Sequence, residues 1–510
     1  MVYISDINNP KTMAIKQKRD VSLPEVVFSG SDDAAHARQV TRQAANGKLR
    51  KLYKGVYTSN LSSPLESVVL RNWPDIVGYL LPDGVLGYRS AVLAKPENGM
   101  LYITRGKTPQ LLQLPGLNIK VIPGSGAVIS PPSNDVRYKN LYIASEARRF
   151  LENLSVGRGV AERVLPQKDI EEQLEKLLVL RGAHGLNTLR DHCRALADTL
   201  QMQREFVRLD LLIGALLGTH EKRHLQGRQA LARAAGKPYD PARLPLFDAL
   251  FSHLQSNVMP RVEETASSGQ ALETFSFFEA YFSNFIEGTT FEVSEAEQIV
   301  FEGKVIPNRS EDSHDVLGTF RVAMAQPWRN IPARTEDEFM HWLKSVNALV
   351  MQARPEKRPG EWKDKVNQAG STLFVEPTLV PGTLREGFAR ISALADPFAR
   401  ALLTMFVVSE IHPFADGNGR TARLAMNCEL TAAGLARIIV PTVYREDYLL
   451  PLKNLSINSD PLAYLKSMAR IQLWTSAFNY SKPLHVIQAE LEKCNAFKED
   501  LRNFKLVFPG

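Results

Sequence analysis

From about residue 260 to residue 480 apolar side chains recur at helical spacing, and a single stretch breaks the pattern. That stretch, 360–382, follows Pro359 and contains Pro377 and Pro381. Within it Gly370-Ser371-Thr372-Leu373-Phe374-Val375 reads as a strand-like pair of short runs. A hairpin set inside a helical region points to a functional use. The expectation is a mainly α fold, an all-helical core carrying a β-hairpin.

A chain of 510 residues exceeds what one core usually supports, so two to four domains are expected. The text upstream of 260 differs from the helical core. Residues 1–20 form a polar leader, and residues 31–60 read as helix, basic segment, turn and β-like tip, the outline of a winged helix. In that reading Ser31-Asp32-Asp33 caps the helix, 34–45 forms it, and Lys54-Gly55 makes the turn. Residues 61–145 mix β-branched runs with Pro and Gly and read as short strands. Helical spacing returns in 170–180, 200–217 and 244–254, with a break near 235–245 at Gly236, Pro238, Pro241 and Pro245. The expected domains are 1–60 (winged-helix-like), 61–155 (an α+β extension of it), 156–255 (a helical linker domain), 256–480 (the helical core) and 481–510 (a C-terminal helix or tail).

The bulk numbers exclude several classes. Cys193, Cys428 and Cys494 are far apart, which opposes both a disulfide framework and a zinc site and suits reduced thiols in the cytoplasm. No apolar run approaches the roughly 20 residues that span a bilayer, and the N-terminus lacks the apolar core of a signal peptide. The net charge of +7 is mild for this length, but residues 1–60 hold ten Lys/Arg against five Asp/Glu. A local basic excess suits an anionic partner.

The chemistry concentrates in Ile411-His412-Pro413-Phe414-Ala415-Asp416-Gly417-Asn418-Gly419-Arg420-Thr421-Ala422-Arg423. Gly417, Asn418 and Gly419 precede a helical run, 420–434, so backbone N–H groups can converge in an anion-binding nest at a helix N-terminus. Arg420 and Arg423 lie three apart near the start of that helix, suited to a polyphosphate. Asp416 offers a hard oxygen for magnesium on the same phosphates. A neutral imidazole at His412 can take a proton from an incoming hydroxyl. Phe414 is expected to point into the core and fix the loop.

This segment resembles the Fic family signature, His-x-Phe-x-Asp/Glu-Gly-Asn-Gly-Arg-x-x-Arg, at every specified position. The resemblance covers roughly 260–480. It implies a helical core with a hairpin flap and transfer of AMP from ATP to a protein hydroxyl. It assigns His412 as general base, Asp416 to magnesium, Gly417, Asn418 and Gly419 to the α- and β-phosphates, and Arg420 and Arg423 to the outer phosphates. Gly370, Ser371, Thr372, Leu373, Phe374 and Val375 fall where the family places the flap that holds the target by strand addition. Relatives often place a Tyr and an Asn in the adenine pocket. Here those positions fall on Leu449 and Ser456, with Tyr448 as the nearest substitute, so the nucleobase is not settled by the motif.

Upstream, 275–287 has helical periodicity and Gly288 is a helix stop. Ser283 and Glu287 lie four apart on one face. Ser283-Asn284-Phe285-Ile286-Glu287-Gly288 resembles the Fic inhibitory motif, Ser/Thr-x-x-x-Glu-Gly/Asn, in the class with an internal inhibitory helix. That resemblance implies that Glu287 pairs with Arg423 and competes with the γ-phosphate.

Residues 31–60, and 47–57 above all, resemble the winged-helix start of AbiEi-type antitoxin regulators, and 145–151 continues the likeness loosely. By that resemblance Arg38, Arg42, Lys48, Arg50, Lys51 and Lys54 would meet DNA phosphates. The alternative is a winged helix for protein contacts. Three functions stay open: a self-restrained AMP transferase, a DNA-binding regulator whose Fic part senses nucleotide, and an enzyme that removes AMP. The target protein, the acceptor side chain and self-association are open as well. Thr289 and Thr290, taken as exposed, would allow self-modification.

Overall fold

A computed structural model describes residues 23–30, 34–131, 134–157, 159–370, 372–500 and 502–509. The expected leader, the cap at Ser31-Asp32-Asp33, and Ser371 lie outside the described residues. The chain divides into two compact units, Met1–Gly227 and Arg228–Gly510.

In the first unit, helix Ala34–Ala45 is followed by a hairpin of Arg50–Tyr53 and Val56–Thr58. Gly55, at φ 77°, makes the turn that a side chain would strain. Val26–Phe28 adds to the far side of Val56–Thr58, giving a three-stranded antiparallel sheet. The stretch read as short strands forms a mixed six-stranded sheet, with the strand order Gln110–Leu114, Leu117–Ile122, Met100–Thr104, Val85–Leu86, Leu141–Ile143, Val136–Tyr138. Helices Leu65–Arg71 and Trp73–Leu80 also lie in this stretch, and bury Val68, Val69, Ile76 and Val77 against Leu101, Ile103 and Ile119. Helix Glu146–Asn153 buries Arg148 between Asp135 (2.8 Å) and Glu152 (2.7 Å). Its guanidinium also donates to the carbonyls of Ser125 and Gly126, so every element around it is tied down. The long helix Gln167–Leu200 kinks at Gly182, and Gln201, left-handed at φ 57°, separates it from Gln203–Leu216. The helix expected over 200–217 therefore begins three residues later, at Gln203, and ends at Leu216.

The second unit is built around helix Pro397–Ile411. Its Ala401, Leu402, Leu403, Met405, Phe406, Val407, Val408 and Ile411 are fully buried. A helix apolar on every side must be surrounded by other helices. Those packed against it include Leu244–Ser256, Val380–Ala393 and Asn418–Ala432. Gly269–Ile286, Ser310–Met324 and Glu336–Val350 complete the wall behind Asn418–Ala432. Among the described residues no helix is long and apolar enough to cross a membrane, and all three cysteines are buried free thiols.

The interruption at 360–382 does form a hairpin, displaced from its expected position. The strands are Gln368–Ala369 and Thr372–Leu373. Gly370 lies in the turn at φ 59° rather than in a strand, because the hairpin reversal needs the left-handed backbone that glycine supplies. Phe374 and Val375 lie beyond the ladder, and Val375 is buried.

Candidate active site

Helix Pro397–Ile411 ends at His412, whose left-handed backbone (φ 54°) turns the chain into the loop. Its Nδ1 lies 3.1 Å from the carbonyl of Ser409. A carbonyl only accepts, so Nδ1 carries the hydrogen and Nε2 keeps its lone pair in the neutral ring. Burial holds the imidazole pKa below its ordinary value, against the opposing pull of the Ser409 carbonyl. Phe374 of the flap stacks on this ring, with centroids 3.8 Å apart and planes 10° from parallel.

The loop is closed by its own residues. Asn418 donates to the Phe414 carbonyl (2.9 Å) and accepts from the Phe414 N–H (2.8 Å). Phe414 is buried and packs on Trp362. Asn347, from helix Glu336–Val350, donates to the Asp416 carbonyl (2.9 Å) and accepts from Gly360 N–H (3.0 Å). Gly417 is held at φ 76°, and a Cβ there would lie 2.7 Å from Met351 Sδ. Its N–H donates to Asp416 Oδ1 at 2.6 Å. Helix Asn418–Ala432 starts at once, so its positive end opens onto the loop.

Arg420 and Arg423 leave this helix toward different partners. Arg420 is buried, bonded to Asp315 (2.7 Å) and Asn284 (3.1 Å), and Asp315 also takes Arg354 (3.0 Å). Arg423 donates to the Ser283 hydroxyl (3.0 Å), the Ser283 carbonyl (2.8 Å) and Glu287 Oε1 (2.7 Å). Tyr448, fully buried, lies close enough to Arg423 to influence its ionisation. Burial pushes the Glu287 carboxyl up, but the charge and hydrogen bond of Arg423 outweigh it and hold the group below the usual carboxylate range. The carboxylate also lies over the start of the motif helix, where a Cβ on Gly419 would sit 2.1 Å from Oε1. A negative group thus already stands at the positive end of that helix.

Glu287 caps helix Gly269–Ile286, and Gly288 reverses the chain at φ 94°. Arg445 donates to the Ile286 carbonyl at 3.1 Å. Of the two threonines read as exposed, Thr290 is, but Thr289 is buried at the helix end, where its N–H bonds the Asn284 carbonyl. Sequence reading missed Asp315, Asn347, Arg354 and Lys363. Lys363 is buried, donates to Asn367 (2.6 Å), and has its pKa lowered to about 8 by burial. Asn284 was likewise given no role, although it stands inside the segment that resembles the inhibitory motif. The others carry no local pattern.

The N-terminal basic residues do not share one setting. Arg38, Arg42, Lys48, Lys51 and Lys54 are exposed, while Arg50 donates to the carbonyls of Leu61 and Ser63.

The second unit is thus a helical domain in which a histidine and a glycine-rich loop open onto a helix N-terminus beneath a hairpin. Residues 340–430 match the model of the Fic/DOC family, and the chain carries a Fic domain. It is 26% identical over 203 residues to the Caenorhabditis elegans protein adenylyltransferase fic-1, covering 39% of this chain and 38% of that protein. It is 26% identical over 212 residues to a protein adenylyltransferase Fic of Nematostella vectensis, covering 39% of this chain and 48% of the relative. The match spans less than half the length of these relatives. A Fic domain containing signaling protein from Bacteroides thetaiotaomicron superposes with a TM-score of 0.36 at 19% identity, over 48% of this chain and 98% of that one.

Proposed function

We propose that this chain transfers AMP from ATP to a hydroxyl of a protein, itself or another, and that Glu287 restrains the reaction. The observation that carries the reading is the Glu287–Arg423 pair: a carboxylate stands at a helix N-terminus beside a buried arginine, near enough to His412 for the two groups to interact electrostatically. An anion-binding site filled by an internal anion suits a polyphosphate enzyme held in check. With Glu287 withdrawn, Arg423 and the loop Gly417-Asn418-Gly419 bind the phosphates. His412 Nε2 takes the proton of the acceptor hydroxyl as its oxygen attacks the α-phosphorus. The new O–P bond forms while the bond from that phosphorus to the β-phosphate oxygen breaks, and pyrophosphate leaves.

Magnesium fits this site with a single protein ligand. Among the described residues no group of three or more His, Cys, Asp or Glu could hold a metal, yet Asp416 presents a half-exposed carboxylate at the loop's mouth. Such an ion would take its other oxygens from phosphates and water and would neutralise charge on the leaving pyrophosphate.

The test is incubation of the wild type, Glu287→Gly and His412→Ala with labelled ATP and magnesium, read by intact-protein mass. A gain of AMP on Glu287→Gly, absent from His412→Ala, is expected. No transfer by any of them, with ATP bound, would overturn the reading and favour a nucleotide-sensing role.

A DNA role for the first unit rests on the five exposed Lys and Arg of the helix and hairpin. Binding to a labelled duplex that weakens with salt is expected, and no binding at low salt would remove it.

A further inference from the structure

The flap is narrow. Its two strands pair over Gln368↔Leu373 and Ala369↔Thr372, and Phe374 N–H donates to the Asn367 carbonyl at 3.2 Å. In an antiparallel pair, bonded and unbonded positions alternate. Residue 374 is bonded inward, so the N–H and carbonyl of Leu373 face outward. An added strand would pair along that outer edge.

Arg243 reaches this edge. Its Nη2 donates to the Leu373 carbonyl at 2.5 Å, and its Nη1 pairs with Glu410. Glu410 is buried two residues before His412, and its second oxygen accepts from Ser456 at 2.5 Å. The guanidinium thus links the flap's outer strand to the end of the helix that carries His412.

The segment bearing Arg243 is itself fixed. Asp240 N–H donates to the Thr383 hydroxyl (2.9 Å), and Asp240 pairs with Arg243 Nε (3.4 Å). Gly382 meets this segment so closely that a Cβ would lie 2.0 Å from the Pro238 carbonyl. Other ties, Lys363 N–H to the Pro413 carbonyl (2.9 Å) and Asn367 to the Phe414 carbonyl (2.8 Å), fasten the flap's base. Arg243 holds its strand.

We propose that Arg243 is a positioning residue, clamping the flap's outer strand to the helix end beside His412 and so setting where a target strand meets that histidine. This rests on the AMP-transfer reading above. The Leu373 carbonyl keeps a second lone pair for the incoming chain. Lysine cannot replace the planar fork, since one ammonium does not span Glu410 and Leu373 together.

The test uses the full chain carrying Glu287→Gly, with Arg243→Ala, Arg243→Lys or Arg243→Ala/Glu410→Gln added. The double variant removes the carboxylate that Arg243→Ala strands. Three quantities are read: hydrogen exchange over 368–374, ATP affinity by calorimetry, and the rate at which the chain labels itself with AMP. Expected are faster exchange in the flap, ATP affinity within about twofold, and a labelling rate lowered roughly 10- to 100-fold at saturating ATP, a loss of alignment rather than of binding. Unchanged flap exchange overturns the proposal. So does a full labelling rate despite a loosened flap, or a loss of ATP affinity in step with the rate. If the Glu287→Gly parent labels nothing, the AMP-transfer reading fails, and flap exchange still decides whether Arg243 is the clamp.

Discussion

Arg420 and Arg423 sit three residues apart on one helix, yet their surroundings differ. The Arg420 side chain is 3% exposed and its partner Asp315 1%. The Arg423 side chain is 6% exposed, but its partner Glu287 is 33% exposed. Asp315 also takes Arg354, which in turn holds Glu311 and Asp312. The first pair is closed within a network of three elements. The second is closed on one side and open on the other, toward the loop and His412. A buried pair with shared partners is expensive to break, whereas a half-open carboxylate can exchange its partner for water or another anion. On this helix one arginine is enclosed together with its partner, while the other pairs with a carboxylate that remains partly open to solvent.

The largest effects should separate the chemistry from this scaffold. His412→Ala is expected to lower AMP transfer by about 10²–10⁴ while leaving the unfolding midpoint near that of the parent. Asp315→Ala strands Arg420 in the core and should cost about 3–5 kcal/mol in denaturant unfolding. A loss of stability under about 1 kcal/mol would mean that Arg420 is not the structural arginine, and would break the contrast.

Smaller effects belong to the open pair. Glu287→Gly is expected to raise transfer roughly 5- to 150-fold, the usual range of a coupling between two sites, with little change in unfolding. If Asp315→Ala raised transfer as much as Glu287→Gly, the division between the two arginines would fail. Gly419→Ala sharpens the point. Its methyl would fall 2.1 Å from Glu287 Oε1 and displace the carboxylate, yet it also intrudes on the loop that would hold phosphate. The Glu287 restraint should then be lost without a matching gain in transfer, as read by ATP affinity beside the rate.

Much of this was legible because it is local. The loop and its helix announce themselves in consecutive residues, 412–423, and the helix stop at Gly288 follows from one residue's freedom. The Glu287–Arg423 contact spans 136 residues, and it was reachable only through resemblance to a family. Asp315 was not legible at all: a carboxylate on an amphipathic helix reads as solvated, and only the fold buries it against Arg420 and Arg354. The hairpin was found but misplaced, since Thr372–Val375 looks like a strand while only its first two residues pair. In the first unit the mixed sheet interleaves strands from 85 to 143, an order that no local pattern encodes.

The smallest expected effect concerns the flap's hold on the histidine. Burial depresses the His412 pKa, and Phe374 provides the ring that covers its face. In the folded protein the neutral form is favoured below 6.5, the value of a free imidazole, so the acid limb of transfer in the Glu287→Gly protein should have its midpoint below that value. The sign for stability is the same. The unfolded chain takes up this proton first as pH falls, so the contribution of the buried ring is complete above 6.5 and declines below it. Phe374→Ala opens the ring to water, and the midpoint should move up toward 6.5 as the maximal rate drops only modestly. Arg423 and the closed Asp315 network are untouched by this change, so ATP affinity should stay level. A midpoint that does not move would show that the helix end, rather than the flap, desolvates His412. The two regions would then act independently, and the flap would serve the target alone.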